Sequence, residues 1–565
     1  MSRSIATRSL VRSVITSLAI VAAVLLIEGG SRPSMWDADD GVLLEYALRY
    51  SPLQYFFLPA YTHGLSPANV TPWLAFAYDV DLSLFGLDPG AFYLVHLGWI
   101  AAVAVLAYFV MRLWLAPLDA AAGTLLFVLG ATTDFAASHL MVAHYVAGMA
   151  FALLALLGYV RALRLHSAAA LVGSVVAYAL ALTCKELYVP LPLVLLFLPE
   201  RDWRTRLRYG SPHLALLALY ALWRYAVLGH FLGGYQTTGW SYQDLANTAR
   251  TFANLPNALL GHGVPFAAAA LAVIVIAALA LWRKRMNAAF ALVLLAVVML
   301  PLVPLGVLGA ILAPDRFFFA LWLVFACVLA WGASAVVRSV PLRVLVYAVV
   351  GVSAYQNLME IRAATGPQSD LSRIYGFVLN GTAREALVID KGQPYLNNQL
   401  NGLAFAYRTL APNHDRARVL GRDELGDVAP DGSTSWFAWS QECRCVAPTT
   451  VAVQRAAVRE YAAGGDRPPP AVDIWFDARN QTLRWKGGPY TDGTWTIRFE
   501  SVPDLWTVKY DSWRPTGGAN VFWPDVNRPF RFFVRFESPE GWAIRTPVLS
   551  FTPGNASHFS WAPPS

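Results

Sequence analysis

The chain is poor in charge. Asp, Glu, Lys and Arg make up 14% of it, where soluble domains carry roughly 25%. The deficit lies in about the first 360 residues, where apolar runs of about 16–22 residues follow one another closely. With 56% hydrophobic residues and a mean hydropathy of +0.45, a wholly soluble protein is excluded. Cysteine is scarce as well, four in 565 residues. Cys184 and Cys327 lie in or beside apolar runs and read as small apolar residues. Cys443 and Cys445 form an isolated C-x-C with no second pair and no His cluster nearby, which argues against a zinc site. A disulfide between them in an oxidising compartment stays open. No internal repeat is visible, so a repeat array is excluded. No small-residue cleavage site follows the first apolar run, so the basic-then-apolar N-terminus reads as an uncleaved first span.

What is present is a series of apolar runs at 13–27, 91–110, 119–133, 145–160, 168–184, 187–198, 213–230, 265–282, 288–312, 317–337 and 341–358. They predict a polytopic α-helical membrane protein of about eleven spans. Run 187–198 is short and holds Pro190 and Pro192, so a tilted or broken span is expected there. The net charge of +7 has its home in the loops. Arg112, Arg161 and Arg164, the arginines of 201–208, the basic cluster 283–285, and Arg338 with Arg343 fall at alternate loops, together with the N-terminal arginines. By the positive-inside rule these loops are cytoplasmic, and nucleic acid is not an expected partner. The other side then receives 28–90, 132–144, Lys185-Glu186, 229–264, 313–316 and the C-terminal residues.

The chain therefore divides into a membrane part, 1–359, whose first outer loop is 28–90, and a soluble extracytoplasmic domain, 360–565. Glu385-Ala-Leu-Val-Ile-Asp-Lys reads as a buried strand. Trp495-Thr-Ile-Arg-Phe-Glu and Phe530-Arg-Phe-Phe-Val-Arg-Phe alternate apolar and polar residues, as half-buried strands do. An α+β domain is expected, β-rich toward its end, where a small sandwich or barrel of about 90 residues fits.

The outer side collects the residues able to do chemistry. Trp36-Asp37-Ala38-Asp39-Asp40-Gly41 holds three carboxylates close together, beside a membrane. They suit a catalytic base or metal ligands at the mouth of a cleft; a solvated loop or an Asp N-cap for a following helix fits equally. Lys185-Glu186 sits between apolar runs with almost no loop. Lys is a natural point-charge partner for phosphate, and the plain alternative is a mutual ion pair in a tight hairpin. Asp315-Arg316 before three phenylalanines suits a lipid phosphate or an aromatic belt with a salt bridge. Asp134, His139 and His144 share a loop whose spacing matches no metal motif. A carboxylate base with cations on one membrane face is what displacement at a phosphate-activated sugar requires: the base takes the proton of the incoming hydroxyl and the cations hold the leaving phosphate.

These residues resemble the membrane glycosyltransferases of fold C (GT-C). This group includes protein O-mannosyltransferases, tetratricopeptide-bearing O-mannosyltransferases and lipid A aminoarabinose transferases. Leu84-Phe85-Gly86-Leu87-Asp88-Pro89, followed by Phe92-Tyr93 and His96, is similar to a Phe-Gly-Leu-Asn-Pro run of the tetratricopeptide-bearing branch. Tyr93 and His96 stand where that branch has His and Asn. Asp39-Asp40 resembles the paired acids of the family's first outer loop, Asp134 an outer-loop Glu, Lys185-Glu186 a Lys-Glu step at the lipid phosphate, and Asp315-Arg316-Phe317 a Glu-Arg-Tyr step before a span. The resemblance covers about the first 330 residues and implies an integral membrane glycosyltransferase, hexosyl or pentosyl. It would transfer sugar from a polyprenyl-phosphate donor to an extracytoplasmic hydroxyl, with inversion. Asp39, Asp40 and Asp134 are the implied catalytic residues, and Asp37, His96, Lys185, Glu186 and Arg316 the implied substrate contacts. A divalent metal is an open expectation, with Asp39, Asp134 and His139 as the residues that would hold it. The expected setting is a bacterial inner membrane with the C-terminal domain outside. A polysaccharide polymerase or ligase, a transporter or flippase of lipid-linked glycans, and a non-catalytic assembly protein are the rival readings.

Overall fold

A computed structural model describes the chain apart from residues 1, 31, 32, 34, 67, 68, 232–241, 283–287, 366–368, 383, 390–393, 412–415, 422–432, 457–461, 478–481, 501–508, 513–515, 521–528, 553, 555–557 and 565. The basic cluster 283–285 thus lies outside the described residues. Two compact units divide the chain. One holds Met1–Ser34 and Ala68–Ser369, the other Met35–Pro67 and Asp370–Ser565. The segment Met35–Pro67, part of the first outer loop in sequence, clusters with the C-terminal residues.

The first unit is helical. Among the described residues, five helices are long and apolar enough to cross a membrane: Pro89–Met111, Leu140–Leu165, Gly263–Ala280, Arg316–Val336 and Val340–Ala364. The bent pair Pro117–Val128 and Ala131–Ser138 makes a sixth if taken as one span. Ser13–Glu28, Ala168–Cys184, Glu186–Phe197 and Ala296–Gly306 are apolar but shorter. The chain is a polytopic α-helical membrane protein. Helix occupies most of each expected run, yet among the described residues fewer than eleven helices meet the length and hydropathy of a full crossing. Run 187–198 breaks into a 3₁₀ turn, Glu186–Tyr188, and a short helix, Leu191–Phe197, as its prolines require. Trp203–Leu228 is long enough, but Arg, His, Tyr and Trp dilute its apolar character.

Local chemistry explains the 58° bend after Val128. The indole of Trp322 occupies the space that a side chain on Gly130 would need. The Phe127 carbonyl then accepts from Trp322 Nε1 at 3.0 Å and from Thr133 Oγ1 at 2.7 Å, a kink made by insertion of side chains into the helix ladder. Elsewhere small residues let helices approach, as expected where apolar driving forces between helices are weak. Gly148 receives the ring of Tyr188, and Gly158 meets Ser174, whose hydroxyl donates to Ala155 O at 2.6 Å. The basic loops are tied together. Arg164 pairs with Glu200 and donates to Leu113 O at 3.2 Å. Asp119, almost fully buried, pairs with Arg343 at 2.9 Å and accepts from Tyr347.

The second unit begins with a four-stranded sheet. Strand Glu385–Ile389 lies parallel to Arg418–Gly421 on one side and to Ser435–Ser440 on the other, and Ser435–Ser440 forms a hairpin with Cys445–Thr449. A disulfide joins Cys443 to Cys445 at that hairpin. Beyond it lie two further sheets, in which Ala471–Asp477 pairs with Thr482–Gly488 and Phe530–Glu537 with Thr494–Glu500. Their inward residues, Val472, Ile474, Phe476, Trp485, Trp495, Ile497, Phe532, Val534 and Phe536, form one core. In register, Ile497 faces Val534 and Trp495 faces Phe536. This is the β-rich end expected from the alternation, built as two packed sheets.

Within the same unit the helix Asp40–Arg49 crosses the helix Pro394–Leu410 at backbone contact. A Cβ on Gly41 would overlap the Gln399 carbonyl oxygen, and one on Gly402 would overlap that of Gly41. Glycine is required at both crossing points. Trp36 Nε1 donates to Tyr407 Oη at 3.1 Å, and Tyr375 Oη to Ala38 O at 3.0 Å. These contacts hold the acidic turn to the C-terminal residues.

Candidate functional site

The acidic turn is well defined. Asp39 occupies the N-cap position of the helix Asp40–Arg49 but makes no side-chain cap. Its Oδ1 instead accepts from Gln399 Nε2 at 2.9 Å. Asp40 is fully buried and its Oδ2 accepts from Asp37 N at 2.6 Å, while Asp37 Oδ1 accepts from Ala38 N at 2.7 Å. Ala38 sits at φ 44°, a left-handed conformation that costs energy for a residue with a Cβ. Two of the three acids are thus bound to backbone, and Asp39 is the partly exposed one.

In the first unit, Lys185 and Arg316 meet through aromatic rings. Lys185 Nζ lies 5.3 Å from the centre of the Tyr145 ring. Tyr145 stands edge-on to Phe317 at 6.3 Å, and the Arg316 guanidinium lies 4.8 Å from the Phe317 centre. Buried His144 is within electrostatic range of both cations. The sequence places Lys185 and Arg316 far apart, so their convergence is a product of the fold. Asp315 Oδ1 accepts from Phe317 N at 3.1 Å, which fixes the turn that carries Arg316.

Glu186 is not simply the counter-ion of Lys185. Their charged atoms are 4.0 Å apart. Glu186 Oε1 meets Arg224 Nη1 and Val70 N, each at 2.6 Å. Arg224 is 5% exposed. A guanidinium inside an apolar run marks a buried pairing by default, and that signal was legible in the sequence though it pointed to no partner.

Asp134 stands on the short helix beyond the bend and is held by Arg362. The Arg362 Nη2 is 2.5 Å from Asp134 Oδ1 and 2.9 Å from Glu28 Oε2, and it also donates to Ile27 O at 2.8 Å. Glu28 is fully buried and Asp134 nearly so. Sequence reasoning passed over Glu28 and Arg362, which lie at the ends of their apolar runs. His96 is buried with Nε2 2.6 Å from Ala136 O. His139 stacks on Phe135 at 4.2 Å, with Nδ1 2.9 Å from Phe135 O and 3.0 Å from Ser138 Oγ.

Among the described residues no group of three or more His, Cys, Asp and Glu side chains could hold a metal ion. Asp39 is engaged by an amide, Asp134 by a guanidinium and His139 by a carbonyl and a hydroxyl.

The arrangement offers cations gathered beside aromatic faces at helix ends, and a partly exposed carboxylate oriented by an amide. The first can hold an anion at a membrane interface. The second can accept a proton. No family model matches the chain, and no curated protein does. A solved structure similar to it is that of ArnT from Cupriavidus metallidurans in the apo state, with 16% identity and a TM-score of 0.43, covering 81% of this chain and 96% of that one.

Proposed function

We propose that this integral membrane protein is a glycosyltransferase that moves a hexosyl or pentosyl group from a polyprenyl-phosphate donor to a hydroxyl outside the cytoplasm. The observation that carries the reading is the convergence of Lys185 and Arg316 on the Tyr145–Phe317 pair beside His144. Two cations at the ends of apolar helices suit a phosphate that arrives on a lipid. In the reaction Asp39 takes the proton of the acceptor hydroxyl. The acceptor oxygen forms its bond to the anomeric carbon as the bond from that carbon to the phosphate oxygen breaks. The polyprenyl phosphate leaves with the electron pair, its charge met by Lys185 and Arg316. A single displacement inverts the anomeric centre.

In this reading Gln399 orients Asp39, Asp40 and Asp37 shape the turn that presents it, and Asp134 acts as a positioning group through Arg362. Glu186 and Arg224 hold the Lys185 turn. The bacterial inner membrane, with the C-terminal domain outside, is the setting proposed, and the Cys443–Cys445 disulfide agrees with an oxidising compartment.

The test is transfer by the purified protein in vesicles supplied with polyprenyl-phosphate sugars and an acceptor extract. Asp39→Asn and Lys185→Ala should each abolish transfer that the wild type performs. Unchanged transfer in both variants, or none in the wild type with any donor, refutes the assignment.

A further inference from the structure

A second feature of the first unit lies outside the residues assigned above, apart from His96. The helix Pro72–Phe85 turns one stripe, Trp73, Phe76, Ala77, Val80, Asp81 and Leu84, toward a cavity of ≈ 280 Å³. The spacing i, i+3, i+4, i+7, i+8, i+11 is that of a single helix face. Phe92, His96 and Trp99 of Pro89–Met111 line it from a second side, and Leu140, Ala143 and Ala147 from a third.

The walls are aromatic and braced. Trp73 meets Trp99 at 6.4 Å and Phe151 at 5.0 Å, each edge-to-face, and Trp99 meets Phe151 at 5.6 Å. Into this apolar lining come two polar groups. Asp81 is half-buried, and burial pushes its carboxyl up to about 6. His96 is 2% exposed. Its Nε2 meets the Ala136 carbonyl, which can only accept, so that nitrogen carries the proton and Nδ1 of the neutral ring is a bare acceptor. Nδ1 is buried and has no hydrogen-bond partner among the described residues. A buried polar atom left without a partner costs free energy that a ligand donor recovers.

We propose that this cavity binds one polyhydroxylated ring, a single sugar unit, whose hydroxyls donate to His96 Nδ1 and Asp81 and whose apolar face packs on Trp73 and Trp99. The class follows from the lining. A purely apolar ligand leaves both acceptors unmet, and the hydroxyl-bearing ring satisfies them while covering the indoles. The size admits one ring: the cavity is near the ~300 Å³ at which small-molecule pockets begin. Its wall includes Ala143, two residues before Tyr145, over whose ring Lys185 Nζ lies. The site thus deepens the transferase reading, on which it rests for the source of the sugar.

Equilibrium binding of radiolabelled methyl glycosides to the full-length protein in nanodiscs tests it, with labelled cyclohexylmethanol as an apolar ring of similar size. At least one glycoside should saturate the wild type. Asp81→Leu and Ala77→Phe should each weaken that binding about tenfold or more. Thermal unfolding of each variant confirms that it is folded, and Asp81→Leu, at a half-buried rim, is the one least able to disturb packing. No saturable glycoside in the wild type overturns the proposal. So does equal affinity for cyclohexylmethanol, or unchanged binding in both variants. Asp81-dependent glycoside binding without transfer from any donor upholds the site and refutes the transferase reading alone.

Discussion

Replacing Arg362 by Met removes the guanidinium that bridges Glu28 and Asp134. Glu28 has a side-chain exposure of 0% and Asp134 of 9%, against 24% for Arg362. Breaking a buried ion pair by deleting one partner costs about 3–5 kcal/mol, because it strands a charge in a poor solvent. The partial exposure of Arg362 puts this case at the lower end, about 3 kcal/mol, or roughly a hundredfold in the folded-to-unfolded ratio. The assay is thermal unfolding of the purified chain in detergent, followed by labelling of Cys184, which is buried in the native protein. Arg362→Met should expose that thiol well below the wild-type midpoint. The triple variant Glu28→Gln, Asp134→Asn, Arg362→Met has no stranded charge, and should recover about 1–3 kcal/mol of the loss. Additive effects in the triple variant, or an Arg362→Met protein within about 0.5 kcal/mol of wild type, would refute this view of the cluster.

Other expectations follow from the same contacts. Gly41→Ala and Gly402→Ala each place a methyl group against backbone, and should destabilise the second unit by about 1–3 kcal/mol, seen as earlier proteolysis of 370–565. Gln399→Leu removes the amide that orients Asp39 and should lower kcat of sugar transfer with little change in KM for the donor; an equal rise in KM alone would count against that role. Burial raises the Asp81 carboxyl from 3.8 to about 6, so the folded protein holds that proton more tightly than the unfolded chain. The resulting stability is complete below about pH 4 and lost as pH rises through about 6, worth about 1 kcal/mol once solvent screening of a half-exposed group is allowed for. Asp81→Asn should therefore match wild type near pH 4 and exceed it near pH 7, read as the difference in unfolding midpoint.

Much of the fold was legible because it follows periodicity and composition. The apolar runs mark helices from Ser2–Glu28 to Val340–Thr365, and the alternation in Trp495-Thr-Ile-Arg-Phe marks a strand whose Trp495 and Ile497 point inward. The number of full crossings was less legible. Prolines and dilute charge shorten or weaken several runs without removing their helices. The candidate site was legible as residue types and not as partnerships. Lys185 and Arg316 stand out as charges at the ends of apolar runs. That Glu186 reaches Arg224, and that Asp134 shares Arg362 with Glu28, depends on helix crossings that no local pattern records. The assignment of Met35–Pro67 to the C-terminal unit turns on Gly41 and Gly402, whose small size is visible in sequence but whose contact is not.

The central claim is that Lys185 and Arg316 hold a lipid-borne phosphate. Equilibrium binding of polyprenyl phosphate and of uncharged polyprenol to the wild type, Lys185→Ala and Arg316→Ala tests it without requiring turnover. The wild type should bind the phosphate about tenfold or more tighter than the alcohol, and each variant should lose most of that difference. Equal affinity for phosphate and alcohol in the wild type, or an undiminished preference in both variants, would contradict it.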